Sequence, residues 1–222
     1  MNLQSHMSDM LKVVLSSPPL RSDAALTAAW AGVLGHTMLA YRQHNAEECV
    51  AEVGKVWKAI WNLLDSQDAA TRKAAAEALS MLGQCFTPAL IAAAIKEKDS
   101  AEKKSVLGKI ISQTTDALDS LAYARAIPDV LSVASSLVEN LRYRGGSRKN
   151  PTAAEQLLQP LVTKVADLRV QKTFEHKEAA DATLSTAMRV LGPQVLLRWL
   201  PLNLETVDRC VAPPMPPYWC SS

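Results

Sequence analysis

Aromatic side chains make up only 5% of this 222-residue sequence, and glycine occurs eight times. Strands draw on aromatic and β-branched residues, and runs of these are scarce, so no segment shows the alternation of a strand. The four cysteines, Cys49, Cys85, Cys210 and Cys220, form no C-x-x-C pair and have no histidine nearby at ligand spacing. That pattern argues against a zinc site and a disulfide framework, and fits a reducing compartment better. A dominant charge is also lacking: 24 basic against 22 acidic residues give +2. Both halves, divided after Ile111, carry 12 basic and 11 acidic residues. A uniformly basic nucleic-acid domain is thereby excluded, while a local basic patch stays open. No uninterrupted apolar run approaches the ~18 residues of a membrane helix. The opening MNLQSHMSDM lacks the basic flank and apolar centre of a signal peptide. Its Gln4-Ser5-His6-Met7 has the look of a cloning scar, so residues 1–7 are set aside as a scar or disordered start.

What remains is helix-forming, with 48% hydrophobic residues and a length sufficient for one domain or a short repeat array. Apolar residues recur every three or four positions. Leu26, Trp30, Val33/Leu34, Met38 and Tyr41 form one such stripe, and Val50, Val53, Val56/Trp57, Ile60/Trp61 and Leu64 a second. Leu157/Leu158, Leu161/Val162, Val165 and Leu168 form a third. Each predicts an amphipathic helix with one buried face.

Punctuation falls between the stripes. Thr87-Pro88 and Asn150-Pro151 each place a capping side chain before a first-turn proline. Asp68 can cap the helix after the Asp65–Asp68 turn. Gly192-Pro193 predicts a corner: a left-handed glycine ends one helix and proline opens the next, antiparallel to it. Leu184, Met188 and Leu191 share a face at spacings of four and three. With Val195, Leu196 and Trp199 they are expected to form one core around that corner. Roughly nine or ten helices of ~10–20 residues follow from the count of stripes.

A compact bundle is compatible with this pattern, but regular helix–turn–helix units without a cofactor site fit an α-solenoid better. In WNLLDSQDAATRKAAAEALSMLG, Leu63 and Leu64 close a helix, Asp65 and Asp68 occupy the turn, and Arg72 follows. Ala75, Ala76, Leu79 and Leu82 then line a second helix. This unit resembles a HEAT repeat. The expected fold is all-α, a solenoid of HEAT/armadillo-like antiparallel pairs over residues 8–205. The segment 206–222 is expected to be an extended tail, since Pro213, Pro214, Pro216 and Pro217 preclude helix.

Catalytic signatures are absent: no G-x-S-x-G, H-E-x-x-H, Walker or G-x-G-x-x-G motif occurs. His36 sits among Leu34, Met38 and Leu39 with no nucleophile or acid at a telling spacing. His176 and Asp181 are five apart, which does not make a ligand pair on one face. No enzyme activity, metal, cofactor or small-molecule substrate is therefore expected. KEKDSAEKK, Lys96 to Lys104, is mixed in sign and reads as a solvated turn. RYRGGSRKN differs: Arg142, Arg144, Arg148 and Lys149 place four cations within eight residues, with Tyr143 interleaved. Flexible glycine lets guanidinium groups reach phosphates, and tyrosine can stack on an unpaired base. The competing readings are a solvated inter-helix loop and a contact for nucleic acid or an acidic partner.

EAADATLSTAMRVLGPQVLLRWLPLNLE resembles the ribosomal RNA-processing protein 12 family, in which a helix ends at Leu-Gly-Pro, a short helix follows and Leu-Pro-Leu-Asn-Leu closes it. The likeness is clearest over residues 152–205 and extends faintly upstream, so that it covers about Asn45 to Glu205. After Glu205 the family is expected to continue into another helix, whereas here Thr206 leads to the proline-rich tail, as in a fragment or a variant ending. The resemblance implies a non-enzymatic, nucleolar and nuclear HEAT-repeat protein of ribosome assembly. Its partners would be pre-ribosomal RNA and assembly factors. A transport-receptor-like role with the nuclear export machinery is the alternative, with no direct RNA contact.

Overall fold

The computed structural model describes residues 3–98, 105–145 and 150–201. Among these residues the chain forms eleven α-helices and one 3-10 helix, with no strand. The helices are α1 (Leu3–Ser16), α2 (Ala24–His44), α3 (Ala46–Trp61), α4 (Ala69–Gly83), α5 (Pro88–Lys96) and α6 (Val106–Ala117). A 3-10 helix (Leu121–Ala126) then leads into α7 (Ile127–Asn140). The remainder are α8 (Ala153–Leu157), α9 (Gln159–Val170), α10 (Lys177–Leu191) and α11 (Pro193–Trp199).

Helices begin where a side chain accepts a bond from a backbone N–H that has no intrahelical partner. Asp23 accepts from Leu26 N, Asn45 from Glu48 N, Asp68 from Thr71 N and Thr87 from Leu90 N. Ser105 accepts from Gly108 N and Thr152 from Glu155 N. Two starts differ from the sequence reading. The cap of α8 is Thr152 rather than Asn150, because the Asn150 amide instead donates to Gly145 O at 2.6 Å. The stripe from Leu157 to Leu168 is two helices, since Pro160 lacks the N–H needed to run one helix through that point. At the other end, α1 begins at Leu3, inside residues 1–7 where the sequence predicts no element, and Met7 packs against the core.

The helices stack as antiparallel pairs in two layers. α2, α4, α7 and α10 lie side by side in one row, and α3, α6 and α9 form the other. The pairs are α1–α2, α3–α4, α6–α7 and α9–α10, with the short helices α5 and α8 packed on each other between pairs. One continuous core runs the length of the stack, from Leu11 through Trp57, Leu79 and Leu131 to Leu196. Residues 121–140 are long and apolar enough to cross a membrane by length and composition, which the search for uninterrupted apolar runs overlooks. In the fold α7 is apolar because α4 covers one flank and α10 the other.

Neighbouring helices are also tied by polar bonds. Thr183 Oγ1 donates to Leu131 O at 3.1 Å, joining α10 to α7, and the hydroxyls of Ser135 and Thr186 meet at 3.0 Å. Arg72 Nε reaches Asp129 Oδ2 at 3.4 Å, joining α4 to α7.

The corner after α10 departs in part from the expectation. Gly192 has φ 84° and ψ 159°, a region open to glycine alone but more extended than the left-handed helical conformation. Pro193 opens α11 as expected. The buried face of α10 is Ala180, Thr183, Ala187 and Leu191. Leu184, Val195 and Trp199 are half-buried against this core, Leu196 is buried, and Met188 is 39% exposed. Met188 therefore does not belong to the expected inter-helix core. The small face of α10 goes to α7, and that rotation turns Met188 outward.

Candidate nucleic-acid interface

The basic segment singled out in the sequence lies between α7 and α8. Its stem is fixed by backbone. Leu141 caps α7 with its N–H on Leu137 O and is fully buried. Leu141 O accepts from Ala154 N, and Tyr143 O accepts from Ala153 N, both at 2.8 Å. Ala153 and Ala154 are themselves buried, so these two bonds clamp the loop onto the start of α8. Local polar bonds complete the clamp: Arg142 Nε donates to Glu139 O, and an Arg144 guanidinium nitrogen donates to Asn150 O at 3.3 Å.

Above this stem Arg142, Tyr143 and Arg144 are exposed in succession. Tyr143 keeps 40% of its surface free. Arg148 and Lys149, the other two basic candidates, lie outside the described residues. A shallow concavity of about 400 Å³ opens beside the loop, between α5 and α8. Its wall includes Tyr143, Asn150 and Gln156, its floor Ile95 and Ala153, and its rim Lys96. Among the described residues, none of those lining it is acidic. Sequence reading misses Lys96 because it is 47 positions from Tyr143 and belongs to a mixed-sign run. Only the packing of α5 on α8 brings the two together.

Other titratable groups occupy structural positions. Tyr41 is pushed up to about 12 by burial and by its bond to Glu48 Oε2. The thiols of Cys49 and Cys85, far apart in sequence, both approach Met38 O and are fully buried and reduced. Their mutual bond holds Cys49 below, and Cys85 well above, the ordinary thiol range. His36 is exposed on α2, and His176 sits edge-on to Phe174 just before α10. Among the described residues no group of three or more His, Cys, Asp or Glu is placed to hold a metal ion.

The stacked-pair architecture has a counterpart among known families. The family described as "Ribosomal RNA-processing protein 12, HEAT repeats" matches residues 65–213. The chain belongs to that HEAT-repeat family. The match continues past Glu205 to residue 213, so the departure expected after Glu205 does not mark the family boundary. A curated relative, "Putative ribosomal RNA-processing protein 12" of Schizosaccharomyces pombe (strain 972 / ATCC 24843), is 26% identical over 191 residues. That alignment covers 86% of this chain and 15% of the relative, so the chain spans about one seventh of the relative's length. No solved structure matches. Within this ribosomal RNA-processing protein 12 family member, the α7–α8 loop and Lys96 bring exposed cations and an aromatic ring together.

Proposed function

We propose that the chain is a non-catalytic helical-repeat scaffold of ribosome assembly, acting in the nucleolus and nucleus, that holds pre-ribosomal RNA at the α7–α8 loop. Membership of the ribosomal RNA-processing protein 12 family supports the biological setting. Within this reading residues 8–205 work as one repeat unit, and the tail expected from the sequence over residues 206–222 lies outside the described residues. The observation that carries the RNA contact is the loop itself. Arg142, Tyr143 and Arg144 are presented outward on a stem whose carbonyls are held by Ala153 and Ala154. Cations on a fixed stem reach phosphates with little ordering cost, and displaced counterions supply the driving force.

The test is a titration of structured and single-stranded RNA at several salt concentrations. It compares the parent chain with a variant in which Arg142, Arg144, Arg148 and Lys149 are alanine. The variant should bind more weakly, by a similar factor across RNA sequences, because phosphate contacts position rather than specify. Its salt dependence should flatten by about 0.7 in slope per lost contact on single strands. Indistinguishable affinities and slopes would remove the RNA role of this loop.

A second reading, a transport-type adaptor that binds protein and supports nuclear export, draws on the exposed apolar side chains of the first pair. Met10, Val13, Leu26 and Val33 are 48%, 64%, 55% and 47% exposed. Loss of a protein partner with RNA binding intact would favour it.

A further inference from the structure

The concavity between α5 and α8 offers more than charge. Four of its features are those of a site for a flat, uncharged ring. Ile95 and Ala153 give it an apolar floor. Tyr143 gives it an aromatic wall, and the Tyr143 carbonyl beneath the ring accepts from Ala153 N. Asn150 and Gln156 spend an amide N–H on Gly145 O and Pro151 O respectively. Among the described residues neither amide oxygen accepts a bond, so both stay available to N–H groups on a ligand's edge. The volume, about 400 Å³, lies at the lower end of the roughly 300–1,000 Å³ of small-ligand clefts. Lys96 among the lining residues and exposed Arg142, the residue before Tyr143, supply positive charge.

We propose that this concavity seats one unpaired nucleobase of an RNA strand. The base stacks on Tyr143, its polar edge meets the amide oxygens of Asn150 and Gln156, and Lys96 and Arg142 hold the flanking phosphates. The proposal rests on the RNA reading of the α7–α8 loop and adds to it which part of the RNA is bound. Duplex RNA is excluded as the occupant on chemical grounds, since a paired base has both faces covered by its neighbours and its edge engaged by its partner. A free aromatic ring beside cations is the arrangement that binds single strands with little sequence preference, because every base has a π-face.

The experiment uses the full chain and a short single-stranded RNA carrying 2-aminopurine at its centre, the same strand with an abasic site there, and a duplex of equal length. The chain variants are Tyr143→Ala, Tyr143→Phe and Lys96→Ala, with the four-alanine charge variant as reference. Tyr143→Ala should weaken single-strand binding roughly 5- to 150-fold, the range for loss of one base stack. The slope against salt should not change, and duplex binding should be untouched. Tyr143→Phe should bind as the parent does. Binding to the parent should quench 2-aminopurine, and Tyr143→Ala should abolish the quenching. The abasic strand should bind parent and Tyr143→Ala equally. Lys96→Ala should reduce the salt slope by about 0.7 without removing the quenching. If Tyr143→Ala binds and quenches like the parent while the charge variant is weakened, the base site is overturned and the phosphate contact stands. A duplex weakened as much as the single strand by Tyr143→Ala also overturns the base site. If the charge variant too binds like the parent, the RNA reading and the base site fall together. Thermal melting of each variant shows that the fold is kept.

Discussion

Gly35 on α2 lies so close to Ala78 on α4 that a methyl group on Gly35 would sit 3.2 Å from Ala78 Cα and 2.9 Å from Met81 Sδ. The approach lets the two helices share the most extensive contact in the stack. Gly32, one turn earlier, has no atom within 4 Å of the same position. The two glycines therefore have opposite expected responses. Gly35→Val should lower stability by about 1–3 kcal/mol through overpacking against a backbone that cannot yield. Gly32→Ala should raise it by about 0.5–1 kcal/mol, because only the helix-propensity gain remains. Urea unfolding of both variants checks this. A Gly35→Val variant as stable as the parent would show that α2 and α4 are not in close register there.

Arg72 joins the turn before α4 to α7. Its guanidinium donates to Ser66 O and Gln67 O, each at 2.9 Å, as well as meeting Asp129. Arg72→Met should cost about 2–3 kcal/mol at neutral pH, below the roughly 3–5 kcal/mol of a fully buried pair because both side chains keep some exposure. Burial raises the Asp129 carboxyl above the usual aspartate range, and Arg72 offsets part of that. An aspartate raised in the folded state contributes stability below its unfolded pKa and loses it as pH rises through the folded value. Removing Arg72 raises the folded value further, so the deficit should be small in acid and grow as pH climbs past the aspartate range. Asp68 behaves oppositely. Bonds from Thr71 hold it below the usual range, so its contribution is present above its unfolded pKa and fades as pH falls through the folded one. Stability curves of parent and Arg72→Met against pH decide the point, and a constant gap contradicts it.

At the corner between α10 and α11 the cost of truncation should follow burial rather than the heptad-like spacing. Leu191→Ala should cost about 2–4 kcal/mol and half-buried Leu184→Ala about half of that. Met188→Ala should stay within about 0.5 kcal/mol. Gly192→Ala should cost about 1–3 kcal/mol, since a Cβ is strained at φ 84° whatever the surrounding space. A Met188→Ala variant that melts at or below the temperature of Leu191→Ala would put the register of α10 in error.

Trp57 and Trp61 stack at 5.9 Å on α3, but only Trp61 has a partner for its indole N–H, the Tyr123 hydroxyl at 2.9 Å. Trp57 Nε1 is buried with no acceptor among the described residues. Trp57→Phe removes an unsatisfied donor along with ring volume, whereas Trp61→Phe leaves the Tyr123 hydroxyl without its donor. Trp61→Phe should therefore be the more destabilising of the two, by about 1 kcal/mol. Equal losses in parallel chemical denaturation would mean that Trp57 finds a partner after all.

The helices, their caps at Asp68 and Thr87 and the corner at Gly192-Pro193 were legible in the sequence because each depends on neighbours three or four residues away. The split at Pro160 was equally local and escaped only because an apolar stripe crosses it. Residues 3–7 escaped for a different reason: α1 gains its stability by laying Met7 and Leu11 against the core, which no local signal announces.

By itself the sequence determined that this chain is helical, where it turns, and to which family it is similar, since propensity, capping and hydrophobic period act within a few residues. Tertiary structure decided which face of each helix is spent. α10 turned Ala180, Thr183 and Ala187 inward and Met188 outward because small residues let it approach α7. The same packing set Lys96 beside Tyr143, and Cys49 and Cys85 over one carbonyl. Such meetings depend on how whole helices stack, and that is fixed by the summed fit of many side chains across the row rather than by any one stretch of the chain.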